Sequence, residues 1–363
     1  MNLDILAIGG GTGGHLFPAI ATLEEANSRG LKTALITDDR CKKYLKNDIE
    51  SYIIKLGNGE GIWGRLIQVF LTVFGIARSF WLLRKLKPKL VIGFGGYVAY
   101  PTLLAANILQ IPLMLHEQNC FLGKVNKAFA RKARILCLGF DETLNLPKSL
   151  DARKVIFTGN PIRKDIAAIK KPGSRHGKEF SILITGGSQG ARILSEMVPD
   201  AIGIIKKRFP DKGLKITQQA RPEDIEYVKN LYSYQNIIAD ISNFFYDMPE
   251  RISNASIFIG RAGASTIAEV IDAELPSILI PYPYAVQKHQ HANASFIEKR
   301  GGGVMIDQGE LDPESLAAKI IPFLEDPAYL KSMKNSLKKM KKNSSNIIVD
   351  TAEKIIKDLA EKN

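Results

Sequence analysis

The stretch ILAIGGGTGGH at residues 5–15 decides the fold, because a short apolar run leads directly into a glycine-rich turn and then into a helical stretch. The second half of the chain starts in the same way, with ILITGG at residues 182–187. Strand, glycine turn and helix form the building unit of doubly wound α/β domains. Since 363 residues suit two domains of ordinary size, the sequence predicts two such domains.

Short apolar runs alternate with amphipathic stretches along the chain, a pattern typical of parallel α/β architecture. The charged, turn-rich segment 164–178 predicts a boundary between domains at 1–163 and 164–340, and residues 341–363 are expected to form a C-terminal helix that could pack back over the junction. Helices are predicted at Phe17–Arg29 and Ile193–Arg208. Strands are predicted at Leu3–Ile8, Thr33–Thr37, Leu90–Gly93, Leu113–His116, Ile135–Leu138, Ser181–Thr185, Leu214–Gln218, Ile237–Ala239, Ile257–Ile259 and Ser277–Pro281.

Composition narrows the class of protein. With 45% hydrophobic and 24% charged residues, the chain is expected to be globular rather than disordered. A formal net charge of +13 predicts an anionic partner, which could be nucleic acid, a membrane surface or a phosphorylated substrate. The sequence has no zinc-finger spacing, no RNP-like strand and no basic region followed by heptad repeats, which argues against nucleic acid as the partner. Three widely separated cysteines are typical of a reducing cytosol, and the N-terminal stretch is expected to be a strand, not a secretory signal.

The glycine loops are suited to phosphate, because glycines let backbone N–H groups approach a ligand and a helix N-terminus is partially positive. The first loop matches the G-x-G-x-x-G spacing, and Asp38 and Asp39 follow the next strand, so this segment alone fits a NAD-dependent enzyme. Further loops at 186–191 and 260–266 repeat the design. Loops of this kind in both domains favour instead a cleft that holds a phosphorylated donor and an acceptor.

Glu269 follows the third loop, where Ser265 and Thr266 are predicted to start a helix. A carboxylate within the first turn can accept two hydrogen bonds from a ribose diol. The alternative is a capping-box glutamate that stabilises the helix N-terminus.

Seven motifs follow one another along nearly the whole chain: GGGTGGH at 9–15, GFGGY at 93–97, HEQN at 116–119, GNPIR at 159–163, GGSQGAR at 186–192, GASTIAE at 263–269 and QKHQHANA at 287–294. Together they resemble the MurG family of bacterial glycosyltransferases, which convert lipid I to lipid II in peptidoglycan synthesis. Some motifs are weak individually, but the combination of 116–119 with 186–192 is highly specific.

The resemblance implies an α/β fold of GT-B type, in which two Rossmann-like parallel-sheet domains face a central cleft. It also implies inverting transfer of N-acetylglucosamine from UDP-N-acetylglucosamine to the 4-hydroxyl of the muramyl sugar of lipid I. By position, the residues expected to bind the acceptor are Tyr97, Gly95 and Gly96. Those expected to bind the donor are Thr12, Gly13, Gly14, Asn119, Arg163, Ser188, Phe245, Ala264, Ser265, Thr266, Ile267, Ala268, Glu269 and Gln290. Many relatives have an aliphatic residue at the position of Phe245, so packing against uracil could differ here.

A single displacement needs a general base and stabilisation of charge on the leaving diphosphate. His15 is the favoured base, because an unperturbed histidine pKa of ~6.5 suits proton transfer at neutral pH. Glu117 is the runner-up. The alternatives are substrate binding by His15 and a structural role for Glu117. Backbone amides, helix dipoles and Arg163 can stabilise the diphosphate, and no Asp-x-Asp cluster stands in a suitable loop, so no obligatory cofactor or metal is expected.

The segment Ile62–Leu86 predicts a surface that contacts a membrane. Residues 66–77 carry no charge but are too few to span a bilayer, which takes ~20 residues. Interleaved aromatic and basic residues suit a helix lying at an anionic interface: Trp63, Phe70, Phe74, Trp81, Arg78, Arg84 and Lys85. A core helix flanked by solvated lysines is the alternative. The expected location is peripheral, at the cytoplasmic face of the bacterial inner membrane, with other cell-wall proteins left open as partners.

Two enzymatic alternatives remain open on the sequence alone. One is another GT-B glycolipid glycosyltransferase that uses a different UDP-sugar. The other is a UDP-N-acetylglucosamine epimerase without a lipid acceptor, which would have no need of the apolar and basic helix. A non-catalytic nucleic-acid-binding protein would leave the glycine loops unexplained.

Overall fold

The computed structural model describes residues 2–45, 49–55, 61–167, 179–187 and 190–361, and for 61–69 it describes the backbone alone. The chain divides into two compact units, the first formed by Met1–Arg163 with Lys342–Asn363 and the second by Lys164–Lys341. Some predicted features lie outside the described residues, namely Ser188, residues 168–178 of the expected linker and the side chain of Trp63.

A parallel sheet forms the centre of the first unit. Its described strands are β1 (Ile5–Ile8), β2 (Thr33–Thr37), β3 (Ser51–Ile53), β4 (Leu90–Gly93), β5 (Leu113–Glu117), β6 (Ile135–Leu138) and β7 (Val155–Phe157). They lie in the order β3-β2-β1-β4-β5-β6-β7. The order therefore reverses between β1 and β4, as it does in a Rossmann-like domain.

Helices cover both faces of this sheet, which is why its central strands are continuous apolar runs. The helices are α1 (Gly13–Ser28), α2 (Gly61–Leu86), α3 (Ala99–Ile108), α4 (Lys124–Phe129) and, from the end of the chain, α13 (Ser344–Ala360). Leu6 and Ile8 pack on the side of α2 and α3. Ile5 and Ala7 pack on the other side with residues of α1 and α13. The guanidinium of Arg29, directly after α1, also donates to Glu353 of α13 at 3.0 Å.

The second unit contains a second parallel sheet, whose described strands lie in the order β10-β9-β8-β11-β12-β13. These strands are β8 (Glu179–Thr185), β9 (Gly213–Gln219), β10 (Ala239–Ser242), β11 (Ile257–Gly260), β12 (Ser277–Leu279) and β13 (Gly303–Met305). The helices are α5 (Lys164–Ala167), α6 (Arg192–Arg208), α7 (Ile225–Tyr234), α8 (Met248–Asn254), α9 (Ala264–Ala273), α10 (His289–Lys299), α11 (Pro313–Glu325) and α12 (Pro327–Met340). Here the order reverses between β8 and β11, so the predicted α/β class with two Rossmann-like sheets is confirmed.

Some element bounds differ from the sequence prediction. The strand predicted at Ile237–Ala239 is wrong, since β10 begins only at Ala239. The prediction also missed β3, β7 and β13, each only three residues long, because such short runs give little periodic signal. Helix α1 begins at Gly13 instead of the predicted Phe17. The sequence did not indicate this start, because glycine is a weak helix former. His15 therefore lies in the first turn of α1.

Candidate active site

The first unit brings two of the predicted glycine loops together where its strand order reverses. Residues 9–14 follow β1 and residues 93–97 follow β4, and Ile8 pairs with Gly93 in the sheet. The Phe94 N–H donates to the Ile8 carbonyl at 2.9 Å. Ligands of open α/β sheets bind outside the carboxyl ends of the strands at such a reversal.

His15 lies against the second of these loops. A Cβ built on Gly96 would be 3.0 Å from His15 Cδ2 and 3.4 Å from His15 Nε2. On its other side, His15 Nδ1 is 2.9 Å from Gln118 Oε1. The imidazole is half-buried and held between the loop after β4 and the loop after β5.

Gln118 connects His15 to a second histidine. The Gln118 amide nitrogen lies 2.9 Å from His116 Nδ1, and His116 Nε2 lies 3.0 Å from the Gly159 carbonyl oxygen. His116 is completely buried, and this burial lowers its pKa to about 4. His116 is therefore neutral at physiological pH and orients the loop in that form.

Glu117 is buried and fully engaged in hydrogen bonds. Its Oε1 accepts from the backbone N–H and the side-chain amide of Asn119, at 3.1 and 3.3 Å. Its Oε2 accepts from the Gly123 N–H and the Asn126 amide, both at 2.9 Å. Four donors use the acceptor capacity of a carboxylate. This geometry favours the structural alternative for Glu117, which organises the loop that carries Asn119.

An ion pair that the sequence analysis missed borders the same glycine loop. Asp38 is buried, and its carboxylate accepts from the Gly11 N–H at 3.0 Å and from Arg40 Nε at 2.7 Å. Burial would raise the pKa of Asp38, but these hydrogen bonds hold it below its usual value. The Arg40 guanidinium also contacts the Tyr97 hydroxyl and lies 5.0 Å from the centre of the Tyr97 ring. Because Asp38 already occupies the N–H of Gly11, the NAD-binding alternative for this loop is disfavoured.

The remaining predicted residues of the first unit lie around the start of α1. Thr12 is the exposed N-cap residue, and its carbonyl accepts from the Leu16 N–H at 3.2 Å. The Phe17 ring packs against Gly13, where a Cβ would lie 2.7 Å from it. The Arg163 guanidinium lies 5.3 Å from the centre of the Phe17 ring. Arg163 thus stands close to the glycine loop within this unit.

The second unit also places its predicted glycine loops at the reversal of strand order. Gly260 at the end of β11 pairs with Thr185 at the end of β8. A Cβ on Gly260 would be only 2.3 Å from the Thr185 carbonyl oxygen, so the two backbones approach too closely for any side chain. Gly187 and Gly190 both have positive φ, of 77° and 70°. The Gly190 N–H donates to the Gly187 carbonyl at 3.0 Å.

Helix α9 begins one residue earlier than predicted, at Ala264 with Gly263 as N-cap. Glu269 therefore lies in the second turn, and the predicted first-turn position is wrong. The capping-box alternative also fails, because that box needs Glu at the third helical position, which is Thr266. Ser265, Thr266 and Glu269 are half-buried, whereas Ala264, Ile267 and Ala268 are buried. The Ser265 hydroxyl is buried without a hydrogen-bond partner among the described residues.

Gln290 lies in the first turn of α10, where its side-chain oxygen accepts from the Tyr282 N–H at 3.0 Å. Its amide nitrogen remains to donate to a ligand. Two residues that the sequence analysis did not single out hold this region together. Arg261 is buried and donates to the carbonyls of Ile280 and Pro281, at 3.0 and 3.2 Å, and burial lowers its pKa. The buried Asn293 amide donates to the Ala262 carbonyl at 3.0 Å.

Phe245 stands apart from these residues, in the loop after β10 at the edge of the sheet. Its ring is buried, and the Arg251 guanidinium lies 3.9 Å from the ring centre. The Phe245 side chain is thus engaged with α8, and its backbone is the part of this residue left to meet a ligand. Among the described residues, no group of three or more His, Cys, Asp or Glu side chains converges as a metal site.

Helix α2 presents a continuous outward stripe in its described part. The exposed residues recur at helical spacing and are Phe70, Val73, Phe74, Ala77, Arg78, Trp81, Arg84 and Lys85. Phe70, Val73, Phe74 and Trp81 each expose more than half of their surface. The apolar members stand mainly toward the start of the stripe and the basic members toward its end. No helix within the described ranges has the length and apolarity to cross a bilayer.

Helix α2 also extends beyond α3 toward the loop that carries Tyr97. Both helices lead into parallel strands of one sheet, so they run in the same direction, and the buried hydroxyls of Ser79 and Thr102 are 2.9 Å apart. Thr102 stands one turn after the start of α3. Residues 61–74 therefore project past that start by roughly 20 Å, at ~1.5 Å per residue.

Comparisons with known proteins agree with this architecture. Residues 5–136 match the N-terminal domain of glycosyltransferase family 28, and residues 181–348 match its C-terminal domain. A protein of Rickettsia bellii is 37% identical, with 97% of this chain and 99% of the relative covered. A protein of Rhodospirillum rubrum is 39% identical, with 90% and 85% covered. Both are named UDP-N-acetylglucosamine–N-acetylmuramyl-(pentapeptide) pyrophosphoryl-undecaprenol N-acetylglucosamine transferase. The crystal structure of MurG from Acinetobacter baumannii superposes with a TM-score of 0.76 at 28% identity, with 97% of this chain and 99% of that chain covered.

Proposed function

The chain belongs to glycosyltransferase family 28 and, within it, to the MurG family, and from this premise we propose that it transfers N-acetylglucosamine from UDP-N-acetylglucosamine to the muramyl sugar of a pyrophosphoryl-undecaprenol acceptor. The attacking group is the 4-hydroxyl of that sugar, the anomeric centre of the donor is inverted, and UDP leaves. The product is lipid II.

In the first unit, the position of His15 beside the loop after β4 supports this proposal. His15, a side chain suited to proton transfer, lies against Gly96 at the reversal of strand order, where this fold binds ligands. Gly95 and Gly96 have φ of 81° and 74°, so the loop follows a backbone path that favours glycine and brings main-chain atoms close to His15. An acceptor hydroxyl bound by Gly95, Gly96 and Tyr97 would lose its proton to His15.

Glu117 is the weaker candidate for the base. A base needs an acceptor position that faces the substrate, whereas four protein donors surround the Glu117 carboxylate. We propose that Glu117 orients Asn119 through these hydrogen bonds and that Asn119 binds the donor sugar.

Arg40 extends the acceptor site on the other side of Tyr97. A pyranose carries its 4-hydroxyl and its anomeric phosphate at opposite ends of the ring. With the hydroxyl at His15, beside Gly96, the diphosphate of the acceptor would face the neighbouring Tyr97 and Arg40. A guanidinium is the side chain best suited to bidentate binding of phosphate. Arg40 keeps N–H groups for this role, because its side chain is about half exposed.

The second unit supports binding of the donor. Helix α9 follows β11, whose end pairs with the end of β8, and its N-terminus favours a diphosphate through its N–H groups and its dipole. The buried Ser265 hydroxyl lies at this terminus, and Glu269 one turn further on is suited to the ribose diol. Gln290 would donate to the sugar. The turn around Ser265 would also contact the donor through Ala264, Thr266, Ile267 and Ala268. Phe245 would contact uracil through its backbone. The remaining residues assigned to the donor are Ser188, Thr12, Gly13, Gly14 and Arg163.

We assign charge stabilisation on the leaving UDP to helix N-termini, backbone amides and Arg163, and propose that no metal is obligatory. Oriented amide dipoles and a guanidinium can supply the stabilisation that a divalent cation supplies in other transferases. Chelation is therefore expected to leave the rate unchanged.

The outward stripe of α2 supports peripheral attachment to an anionic membrane at its cytoplasmic face. Phe70, Val73 and Phe74 lie on the projecting part of the helix and suit insertion among lipids. Arg78, Arg84 and Lys85 follow at the level where anionic headgroups would stand. Because the projecting part extends past the start of α3, insertion would bring the membrane to the side of the loop that carries Tyr97. The lipid-linked acceptor would then reach this loop without leaving the bilayer.

A transfer assay tests the proposal directly. Radiolabelled UDP-N-acetylglucosamine and a short-chain lipid I analogue are incubated with the full chain, with and without EDTA. We expect label in a disaccharide lipid at an undiminished rate with EDTA. His15→Ala is expected to abolish transfer while still binding UDP. Turnover of the donor without lipid labelling would instead indicate an epimerase, and labelling only with another UDP-sugar would indicate a different glycolipid transferase.

A further inference from the structure

We propose that Gln118 is a positioning residue that fixes the proton of neutral His15 on Nδ1 and so leaves the lone pair of His15 Nε2 for the acceptor hydroxyl. The use of this lone pair in catalysis rests on the proposed function. The position of the proton does not, because it follows from hydrogen bonds within the first unit.

The orientation of the Gln118 amide is set by a backbone carbonyl. The Gln118 side-chain nitrogen donates to the His116 carbonyl oxygen at 3.0 Å. A carbonyl oxygen only accepts, so the nitrogen and not the oxygen of the amide must face it. The other end of the amide is therefore the oxygen, which lies 2.9 Å from His15 Nδ1. Since an amide oxygen also only accepts, His15 must carry its proton on Nδ1.

The buried histidine fixes the same direction independently. His116 Nε2 lies 3.0 Å from the Gly159 carbonyl oxygen, so His116 carries its proton on Nε2. Its Nδ1 is then an acceptor and receives the second N–H of the Gln118 amide at 2.9 Å. Burial keeps His116 neutral at pH 7, so this acceptor persists. Hydrogen bonds thus run in one direction, from His15 through Gln118 and His116 to the carbonyl of Gly159.

The consequence for His15 is a defined reactive edge. With Nδ1 protonated, neutral His15 can accept a proton only at Nε2, the atom on the side of Gly96. In serine hydrolases a carboxylate performs this orienting role and also stabilises the imidazolium that forms. An amide orients the ring without adding negative charge. Gln118 therefore acts through the tautomer and the ring position, and it neither touches substrate nor carries a proton.

Nitrogen NMR on histidine-labelled protein tests the proposal without any assay of activity. The chain has five histidines, and the His15 signals are assigned by their loss in His15→Gln. In mildly alkaline buffer, where an imidazole is neutral, we expect the wild-type His15 signals to be those of the Nδ1–H tautomer. A wild-type His15 protonated mainly on Nε2 would overturn the proposal, whether or not the chain transfers sugar.

Gln118→Met provides the kinetic test, because methionine has a similar length but offers neither the oxygen acceptor nor the amide donor. We expect the His15 proton to redistribute to Nε2 and kcat to fall by at least tenfold, with the KM for UDP-N-acetylglucosamine and the affinity for UDP unchanged. A variant that keeps the Nδ1–H tautomer, or one that loses the tautomer but keeps full kcat, would contradict the positioning role. If Gln118→Met fails to fold, the wild-type nitrogen spectrum alone tests whether His15 carries its proton on Nδ1. Absence of transfer by the wild-type chain would sink the proposed function and leave the tautomer assignment standing.

Discussion

Gly96 determines how closely the loop after β4 approaches His15. Its φ is 74°, and a Cβ there would lie 3.0 Å from His15 Cδ2 and 3.2 Å from the Gly10 carbonyl oxygen. For Gly96→Ala we expect the unfolding free energy to fall by ~1–2 kcal/mol from the left-handed backbone. We also expect kcat to fall at least tenfold, because the methyl group displaces His15. Urea unfolding and steady-state transfer kinetics measure the two effects separately.

Gly30→Ala is the matched control for this substitution. Gly30 has a φ of 80°, but a Cβ there would meet nothing within 4 Å. The backbone penalty should therefore be similar, with no change in kcat. Equal losses of kcat in the two variants would show that backbone strain, and not contact with His15, explains the effect of Gly96→Ala.

His116 should make the stability of the first unit depend on pH. An unfolded histidine binds a proton below ~6.5, whereas burial lowers the pKa of folded His116 to about 4. Between these values the unfolded chain binds more protons, so the unfolding free energy falls as the pH falls. The contribution is fully present above ~6.5, and a loss on the order of 3 kcal/mol is complete near pH 4. Urea unfolding of wild type and His116→Gln across this window measures the difference. The exposed His291→Gln should retain the wild-type dependence, and an unchanged slope in His116→Gln would contradict the assignment.

At the scale of elements, the sequence predicted best those strands that are buried on both faces. The strands β2, β4 and β6 have the predicted bounds, because helices cover both sides of the sheet and require continuous apolar residues. β3, β7 and β13 all lie at sheet edges, and each has only three residues, too few to show a pattern. Helix starts were missed where glycine occupies the first turn, at Gly13 in α1, and where glycine is the N-cap, at Gly263 in α9.

The start of α9 changes the expected behaviour of Glu269. A capping glutamate would contribute to helix stability, whereas Glu269 in the second turn lies outside the cap, as its proposed role in binding the ribose diol requires. For Glu269→Gln we expect the affinity for UDP to fall at least tenfold, with a smaller change of ~1 kcal/mol in unfolding free energy, because Glu269 also has an interaction within the protein. Calorimetric titration with UDP and urea unfolding give the two numbers. A 2′,3′-dideoxy analogue of UDP should bind both proteins with similar affinity, and a loss of stability with unchanged UDP binding would restore a structural role.

At the scale of the whole molecule, strand order explains which parts of the site the sequence could predict. Glycine loops after β1, β4, β8 and β11 are visible as motifs, and a doubly wound fold brings them together in pairs at each reversal. The contacts of Arg40, Gln118 and Arg261 are not visible in this way. Each bridges elements distant in sequence, so its partner depends on tertiary register. The Asp38–Arg40 pair is the exception, because the basic residue just after the end of β2 could have been noticed in the sequence.

Net charge and the outward stripe of α2 together predict how the chain meets a membrane. A charge of +13 should attract the protein to anionic lipid over distances set by the ionic strength, and the exposed aromatics should hold it once it has arrived. Electrostatic attraction is lost in salt, whereas burial of apolar surface is not. The two contributions can therefore be separated in one experiment.

Sedimentation with vesicles, at several salt concentrations, makes this separation. Wild type is expected to bind vesicles containing phosphatidylglycerol in low salt, to bind neutral phosphatidylcholine vesicles weakly, and to lose most of its binding near 0.5 M salt. A double variant Phe70→Ser and Phe74→Ser should bind anionic vesicles at least tenfold more weakly at every salt concentration, since burial of an aromatic side chain contributes ~1.5–3 kcal/mol. Tyr234→Ser, which removes a still more exposed aromatic residue from α7 in the second unit, is the control and should bind like wild type. Equal weakening by Tyr234→Ser would mean that the stripe of α2 has no special role. Unchanged binding of the double variant would restrict the membrane contact to basic residues alone.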